Sequence, residues 1–379
     1  MKTRLFSYPT PFTPPTTEED ELSVLRLFRS RRVGPTTFHK LIADHGTPEA
    51  ALAALPALAA ASGARDYAPC PEGVARAELA AGRRAGARLI TCLDPDYPAE
   101  LADLADAPPV LWALGQRALL ARPRLAIVGT RNASSLGLRM TRSLAAELGA
   151  LGFVIVSGLA RGIDAEAHRA ALATGTIGVQ AGGIDVVYPA ENADLHAAMA
   201  ERGLRLSELP PGFEPRAPHF PQRNRIIAGL SRATIVIEAA PRSGSLQTAR
   251  LAAEQGREVM AVPGHPLDPR ASGCNMLLRD GATLVRGAED VCEALGIDWA
   301  PAPAAAPAPP AERPAPAAPP PGTSLRTLIL AALGPSPTPE DALIRALAAP
   351  TDRFLAEITA LELEGQVQRH PGGQLSRVF

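Results

Sequence analysis

Four short segments set arginine beside glycine, serine or an aromatic ring. They are Gly129-Thr130-Arg131, Ser157-Gly158-Leu159-Ala160-Arg161-Gly162-Ile163-Asp164, Phe220-Pro221-Gln222-Arg223-Asn224-Arg225 and Arg242-Ser243-Gly244-Ser245. Glycine and serine let backbone N–H groups approach an anion where a helix begins. Arginine adds a planar fork that matches phosphate oxygens. An aromatic side chain amid arginines is a surface on which an unpaired base stacks. The candidate contacts are therefore Gly129, Arg131, Ser157, Gly158, Arg161, Phe220, Arg223, Asn224, Arg225, Arg242, Ser243, Gly244 and Ser245. Any one of these loops could be plain turn geometry, with its arginine paired to a carboxylate such as Asp164 or Glu238. Four of them along one sheet edge suit a polymer of phosphates better than a mononucleotide. Phe220 also has a core reading, His168 reads as structural, and Glu238 reads as a buried partner for an arginine.

The elements that must position these loops are legible as apolar runs: Leu125–Val128, Phe153–Val156, Ile177–Val179, Leu204–Leu206, Ala233–Ile237 and Val259–Val262. Short, nearly continuous apolar strands alternating with amphipathic helices predict an α/β domain whose parallel sheet is covered on both faces. Loops at the carboxyl ends of such strands carry the function. The third run leads into Ala181-Gly182-Gly183-Ile184-Asp185 and then Tyr188-Pro189-Ala190-Glu191-Asn192, and a helix is expected from Ile226.

Composition narrows the chemistry. Of 38 basic residues only Lys2 and Lys40 are lysine, and neither follows glycine, so a standard P-loop is excluded. The formal net charge of −1 makes any nucleic-acid site a local concentration of arginine. Arg122 to Arg142 holds five arginines and no acid, and Arg216 to Arg250 holds six with Glu238 the only acid. Cys70, Cys92, Cys274 and Cys292 show no Cys-x-x-Cys spacing, which argues against a zinc module and a disulfide scaffold. The longest near-apolar run, Ala50 to Ala61, falls far short of the ~20 residues of a membrane span. No metal or cofactor site, no membrane segment and a cytoplasmic location are expected.

Pro301 to Pro321 contains ten prolines and nine alanines, and reads as an extended, semi-rigid linker. The expected organisation is a flexible lead over 1–17, a helical domain over 18–85, the α/β domain over 86–299, the linker over 300–322 and a tail domain over 323–379. In the tail, helices starting at Ser324, Thr338 and Thr351, then two strands around the Pro371-Gly372-Gly373 turn, make a winged-helix pattern. Its five arginines face six acids. Either a weak duplex contact or a protein contact fits it. In the front domain, Val33-Gly34-Pro35 before a helix, with arginines at 26, 29, 31 and 32, fits a phosphate-gripping hairpin and equally a packing or dimerising domain.

The longer strings are specific. Val-Gly-Thr-Arg, Ser-Gly-Leu-Ala-Arg-Gly-Ile-Asp, Phe-Pro-x-Arg-Asn-Arg-Ile-Ile-Ala-Gly-Leu-Ser, Arg-Ser-Gly-Ser-Leu-x-Thr-Ala and Val262-Pro263-Gly264, between about Pro98 and Leu295, resemble the DNA-processing protein A (DprA/Smf) family. The resemblance implies an extended Rossmann-like core, an N-terminal sterile-alpha-like or helix-hairpin-helix domain and a C-terminal winged helix. It also implies a non-enzymatic homodimer that binds single-stranded DNA and helps load the RecA recombinase in natural transformation. Arg131, Arg161, Phe220, Arg223, Arg225 and Arg242 would be its DNA contacts. Ala181, where the family usually carries glycine, departs from the pattern. The rival reading is a nucleotide-processing enzyme using the same loops, although Gly-x-Gly-x-x-Gly and Gly-x-Ser-x-Gly are both missing.

The linker reading makes a direct prediction. Brief digestion with a broad-specificity protease cuts first between Trp299 and Thr323. Survival of the full chain while the N-terminal lead is trimmed contradicts it.

Overall fold

The structure, a computed structural model, describes residues 18–63, 66–298, 324–335 and 337–378. The expected lead and linker lie outside the described residues. The first described unit is four helices: α1 (Glu18–Arg29), α2 (Pro35–His45), α3 (Pro48–Ala61) and α4 (Glu72–Arg84). Pro35 and Pro48 begin α2 and α3, where a missing N–H costs nothing. Leu25, Phe38, Leu52 and Leu79 bury their side chains together with Val110 and Trp112 of the next unit, so helices and sheet share one core. The Glu78 carboxylate binds Arg29 at 2.8 Å and accepts from the Trp112 indole at 3.0 Å.

The next unit is one nine-stranded sheet: β1 (Arg88–Thr91), β2 (Val110–Gly115), β3 (Arg124–Val128), β4 (Val154–Ser157), β5 (Thr176–Val179), β6 (Leu204–Ser207), β7 (Ala233–Val236), β8 (Glu258–Ala261) and β9 (Thr283–Leu284). The spatial order is β1-β2-β6-β5-β4-β3-β7-β8-β9. From β6 across to β9 the strands are parallel, while β1 and β2 run antiparallel at one edge. The six apolar runs are strands, and β1, β2 and β9 extend the sheet beyond them. α5 (Ala99–Ala102) precedes the domain's main helices: α6 (Ser135–Ala150), α7 (Ile163–Ala171), α8 (Ala193–Arg202), α9 (His219–Gly229), α10 (Gly244–Glu254), α11 (Ser272–Arg279) and α12 (Ala288–Ala294). Leu144 and Leu148 of α6, Ala167 of α7 and Val291 of α12 cover one face through Leu125, Ile127, Ile155 and Ile235. Leu101, Ile226, Ile227, Ala249 and Cys274 cover the other through Ala126, Val128, Val156 and Val236. Both faces being dry explains why these strands are mostly apolar rather than alternating, with the buried Arg124 and Arg205 hydrogen-bonded inside the fold.

α9 begins at His219, not at Ile226. Pro218 sits at its N-cap and Pro221 in its first turn, where neither breaks a helical hydrogen bond. Phe220, Arg223, Asn224 and Arg225 therefore lie on a helix rather than in a turn.

The last unit has α13 (Leu325–Ala332), β10 (Thr338–Pro339), α14 (Glu340–Leu347), α15 (Thr351–Leu363), β11 (Val367–His370) and β12 (Gln374–Arg377). Ile329, Leu343, Phe354, Ile358, Leu361 and Leu375 form its core, and the sheet order β10-β12-β11 makes the wing. Thr338 pairs with Leu375 as a strand instead of opening a helix, because Pro339 takes the N-cap of α14. Arg270 joins this unit to the sheet domain by donating to the Ala331 and Leu333 carbonyls at 2.6 and 2.9 Å. Among the described residues no helix is long and apolar enough to cross a membrane.

Two buried histidines set an acid limit. The His168 ring bonds the Thr176 hydroxyl at 2.7 Å, and the His196 ring the Tyr188 carbonyl at 3.3 Å. Burial pulls His168 down to about 3 and His196 down to about 4, so both stay neutral in the fold. The unfolded chain takes up these protons below a pKa of about 6.5, and stability is lost as pH falls through that value. His168→Gln is expected to lose about 2 kcal/mol less than wild type between pH 7 and pH 5. Urea unfolding at the two pH values measures the difference, and equal losses overturn the assignment.

Candidate nucleic-acid interface

After β3 the chain proceeds to β4 on one side, and after β7 to β8 on the other. The switch point therefore lies between β3 and β7, where open α/β sheets place a ligand crevice. The loops at this crevice are joined: the Thr130 N–H donates to the Glu238 carbonyl at 2.7 Å. The Glu238 carboxylate accepts from the Ser134 N–H at 2.9 Å and from the Ser134 hydroxyl. Ser134 in turn caps α6, accepting from the Gly137 N–H at 2.9 Å. Glu238 thus places the protein's own anion at the positive end of α6. Burial raises its pKa, and the Ser134 donors oppose that rise. Its bonded partner is Ser134, not the arginine expected from sequence.

Beside this crevice, where Glu238 caps α6 in the wall of an open pocket, runs an exposed rim. The Ile163 N–H donates to the Thr130 carbonyl at 3.2 Å, so the loops after β3 and β4 abut backbone to backbone. Gly162 is required there: its φ is +74°, and a Cβ would stand 2.4 Å from the Thr130 carbonyl. This contact sets Arg131 and Arg161 on adjoining loops with both side chains exposed. Arg161 reaches Glu191 at 3.3 Å. The Arg131 guanidinium lies over the Phe220 ring, 5.4 Å from its centroid, and the Phe220 and Tyr188 rings are also 5.4 Å apart. Asn192 donates to the carbonyl of Leu159 at 2.9 Å and so pins a residue held at φ +60°.

Under the rim lies a buried layer, and several candidate contacts belong to it. Arg223 is 7% exposed and donates to the carbonyls of Gly158, at 2.7 Å, and of Val179. Desolvation lowers its pKa to about 10, which leaves it charged at neutral pH, with nearby Asp164 supporting the charge. Asp164 is itself raised by burial and lowered in part by Arg223. Its carboxylate takes the Gly158 N–H at 3.0 Å. Ser157 is fully buried and donates to the Ile127 carbonyl at 2.6 Å. Arg225 binds Glu208 at 2.6 Å and approaches Asp106 at 3.6 Å. Arg223, Arg225, Ser157 and Gly158 are thus internal fasteners, and their donors do not face solvent as the sequence suggested. Gly129 serves packing too, since a Cβ there would meet the Ile163 side chain at 2.6 Å.

The remaining candidates form the start of α10. Ser243 caps that helix, its hydroxyl 2.7 Å from that of Ser245, and Arg242 and Gly244 are exposed. Arg242 has no ion pair among the described residues. Asn224 ties α9 to this turn through the Gly244 carbonyl at 3.4 Å. The basic stretch before β4 is also partly internal. Arg122 caps the Thr174 and Gly152 carbonyls, Arg124 is buried against Glu100 and Leu230, and Arg142 pairs with Glu166. Counting charge along the chain therefore overstated the exposed field. Sequence reading missed the packing of Tyr188 on Phe220, because two aromatics so distant in the chain carry no spacing signal. Among the described residues no group of three His, Cys, Asp or Glu side chains is placed to hold a metal ion.

A family model described as DNA recombination-mediator protein A matches residues 88–296, which takes in the whole rim and the buried layer beneath it. The chain belongs to this family. The DprA-like N-terminal HHH domain matches residues 18–81 and the DprA winged helix domain residues 300–373. The DNA processing protein DprA of Bacillus subtilis is 47% identical over 220 residues, 57% of this chain and 74% of its own length. Protein Smf of Escherichia coli is 40% identical over 283 residues, 73% of this chain and 74% of its own. The X-ray structure of DprA from Streptococcus pneumoniae superposes with a TM-score of 0.57 at 34% identity, over 76% of this chain and 95% of that one. A Helicobacter pylori structure, described as giving insight into the single-stranded DNA binding mode of DNA processing protein A, has a TM-score of 0.51 at 33% identity. It covers 56% of this chain and 97% of that one.

In this DprA family member the two layers of arginine are separable by stability. Arg223→Ala strips the donor from two buried carbonyls, each worth ~1–3 kcal/mol, and should lower the melting temperature markedly. Arg242→Ala, on the open surface, should change stability by no more than ~0.5 kcal/mol. Thermal unfolding followed by circular dichroism compares them, and equal melting temperatures refute the assignment.

Proposed function

We propose that this chain binds single-stranded DNA along the open rim, with Arg131, Arg161 and Arg242 on phosphates and the Ser243–Ser245 turn adding polar donors. The observation that carries this reading is the exposed Arg131 guanidinium stacked on Phe220 at the carboxyl end of the sheet. Charge and aromatic surface together are what a flexible, unpaired strand uses. The Helicobacter pylori relative, described by its single-stranded DNA binding mode, supports the same ligand. Arg223, Arg225, Asn224, Gly129, Ser157 and Gly158 act in this reading by holding the rim in place. A nucleotide-processing enzyme is less well served. The α6 N-terminus, where a mononucleotide's phosphate would sit, already holds the Glu238 carboxylate.

The remainder of the proposal comes from family membership: a homodimer that assists loading of RecA, in natural transformation and recombination, without catalysis of its own. The winged helix suits a protein contact better than duplex DNA. Its Arg326 is paired with Glu364, and its Arg369 with Glu340 and Glu362.

Salt titration tests the rim. If Arg131 neutralises one phosphate, Arg131→Ala should flatten the slope of log K against log salt by ~0.7 on oligothymidine. Phe220→Ala should weaken binding by ~1–3 kcal/mol with the slope kept. Wild-type binding by a folded Arg131→Ala protein refutes the site, and acceleration of RecA assembly on the bound strand tests the mediator role.

A further inference from the structure

Tyr188 stands apart from every other aromatic side chain in the described residues. It is 46% exposed, and it is the only Phe, Tyr or Trp among the exposed large hydrophobic residues. Its hydroxyl has no partner among the described residues, so no hydrogen bond among them holds the ring in place. Its backbone is nonetheless anchored, because the fully buried His196 bonds its carbonyl at 3.3 Å. Its ring rests against Phe220, tilted by 52°.

The surroundings of Phe220 make this exposure informative. Arg131 lies over the Phe220 ring, and the Tyr188 ring packs against the same ring. Phe220 is itself partly buried. The more open aromatic surface at this rim is that of Tyr188, with Phe220 packed beside it and Arg131 and Arg161 as the neighbouring cations.

We propose that Tyr188 is a base-stacking residue that makes the rim selective for unpaired strands. This rests on the single-strand reading of the rim given above. A base in a duplex has both faces covered by its neighbours and cannot lie on a protein ring without leaving the stack. An unpaired base can, and any base will serve, because each has a π-face. The phosphate contacts of Arg131 and Arg161 carry no such discrimination, since both forms of DNA present phosphates. The ring gives the rim a means of telling the two apart.

The test uses the full chain and three probes: an oligothymidine, the same length of abasic strand, and a duplex. Tyr188→Ala should bind oligothymidine about ten-fold more weakly than wild type. On the abasic strand and on duplex it should match wild type, and Tyr188→Phe should restore oligothymidine binding. Tyr188→Trp places an indole at the same position, and its fluorescence should be quenched by oligothymidine but not by the abasic strand. Equal loss on the abasic strand would show that Tyr188 only shapes the loop, and would overturn the proposal. So would wild-type oligothymidine binding by Tyr188→Ala while Arg131→Ala binds weakly, with the rim itself left standing. If neither variant changes binding, the rim reading and the stacking proposal fall together.

Discussion

The interface depends on a charge placed where water cannot reach it. Arg223 projects from α9 under the ends of β4 and β5 and donates to the Gly158 and Val179 carbonyls. Those carbonyls close their strands and have no neighbouring strand to pair with. Left unbonded in the interior, each would carry a large desolvation cost. The guanidinium serves both at once because its fork is rigid and planar. Gly158 must lack a side chain for this, since a Cβ would stand 2.6 Å from the guanidinium. Asp164, whose carboxylate holds the Gly158 N–H, adds the compensating charge. One helix, two strands and the start of another helix are thereby set at fixed distances.

The rim inherits its geometry from that arrangement. Phe220 lies on the same helix as Arg223, so fastening Arg223 places the ring. The ring then receives Arg131 from the loop after β3 and Tyr188 from the loop after β5. Arg225 fastens the helix a second time through Glu208, whose own carbonyl accepts from Arg29 of α1 at 3.0 Å. The N-terminal helices are thus tied to the helix that carries the interface, through a network that includes Glu78 and Trp112. Elsewhere Glu238 occupies the start of α6 with its own carboxylate, in the wall of an open pocket at the switch point. A fold that usually gives this position to a nucleotide instead keeps its free cations along the neighbouring loops.

Much of this was legible in the residues. Six apolar runs were sufficient for six of the seven parallel strands, because a strand dry on both faces is apolar at most positions; β9, only Thr283–Leu284, is too short to form such a run. Proline, glycine and serine punctuation marked the turns, and the tail's helix spacing marked the winged helix. The arginines beside glycine marked the sheet edge that matters, and the longer motifs placed the chain in its family. The types of residue at that edge, phosphate-binding forks and one aromatic ring, follow from sequence alone because chemistry depends on type. What they do individually was decided by tertiary structure. Arg131 and Arg223 look alike in the chain, yet one is exposed over a ring and the other is sealed beneath the strands. Ser157 and Ser243 likewise part, one turned inward to Ile127 and the other capping α10. Tyr188 joins Phe220 only when β5 and α9 pack together. Burial and partnership depend on which distant segments meet, and a local pattern carries no record of that.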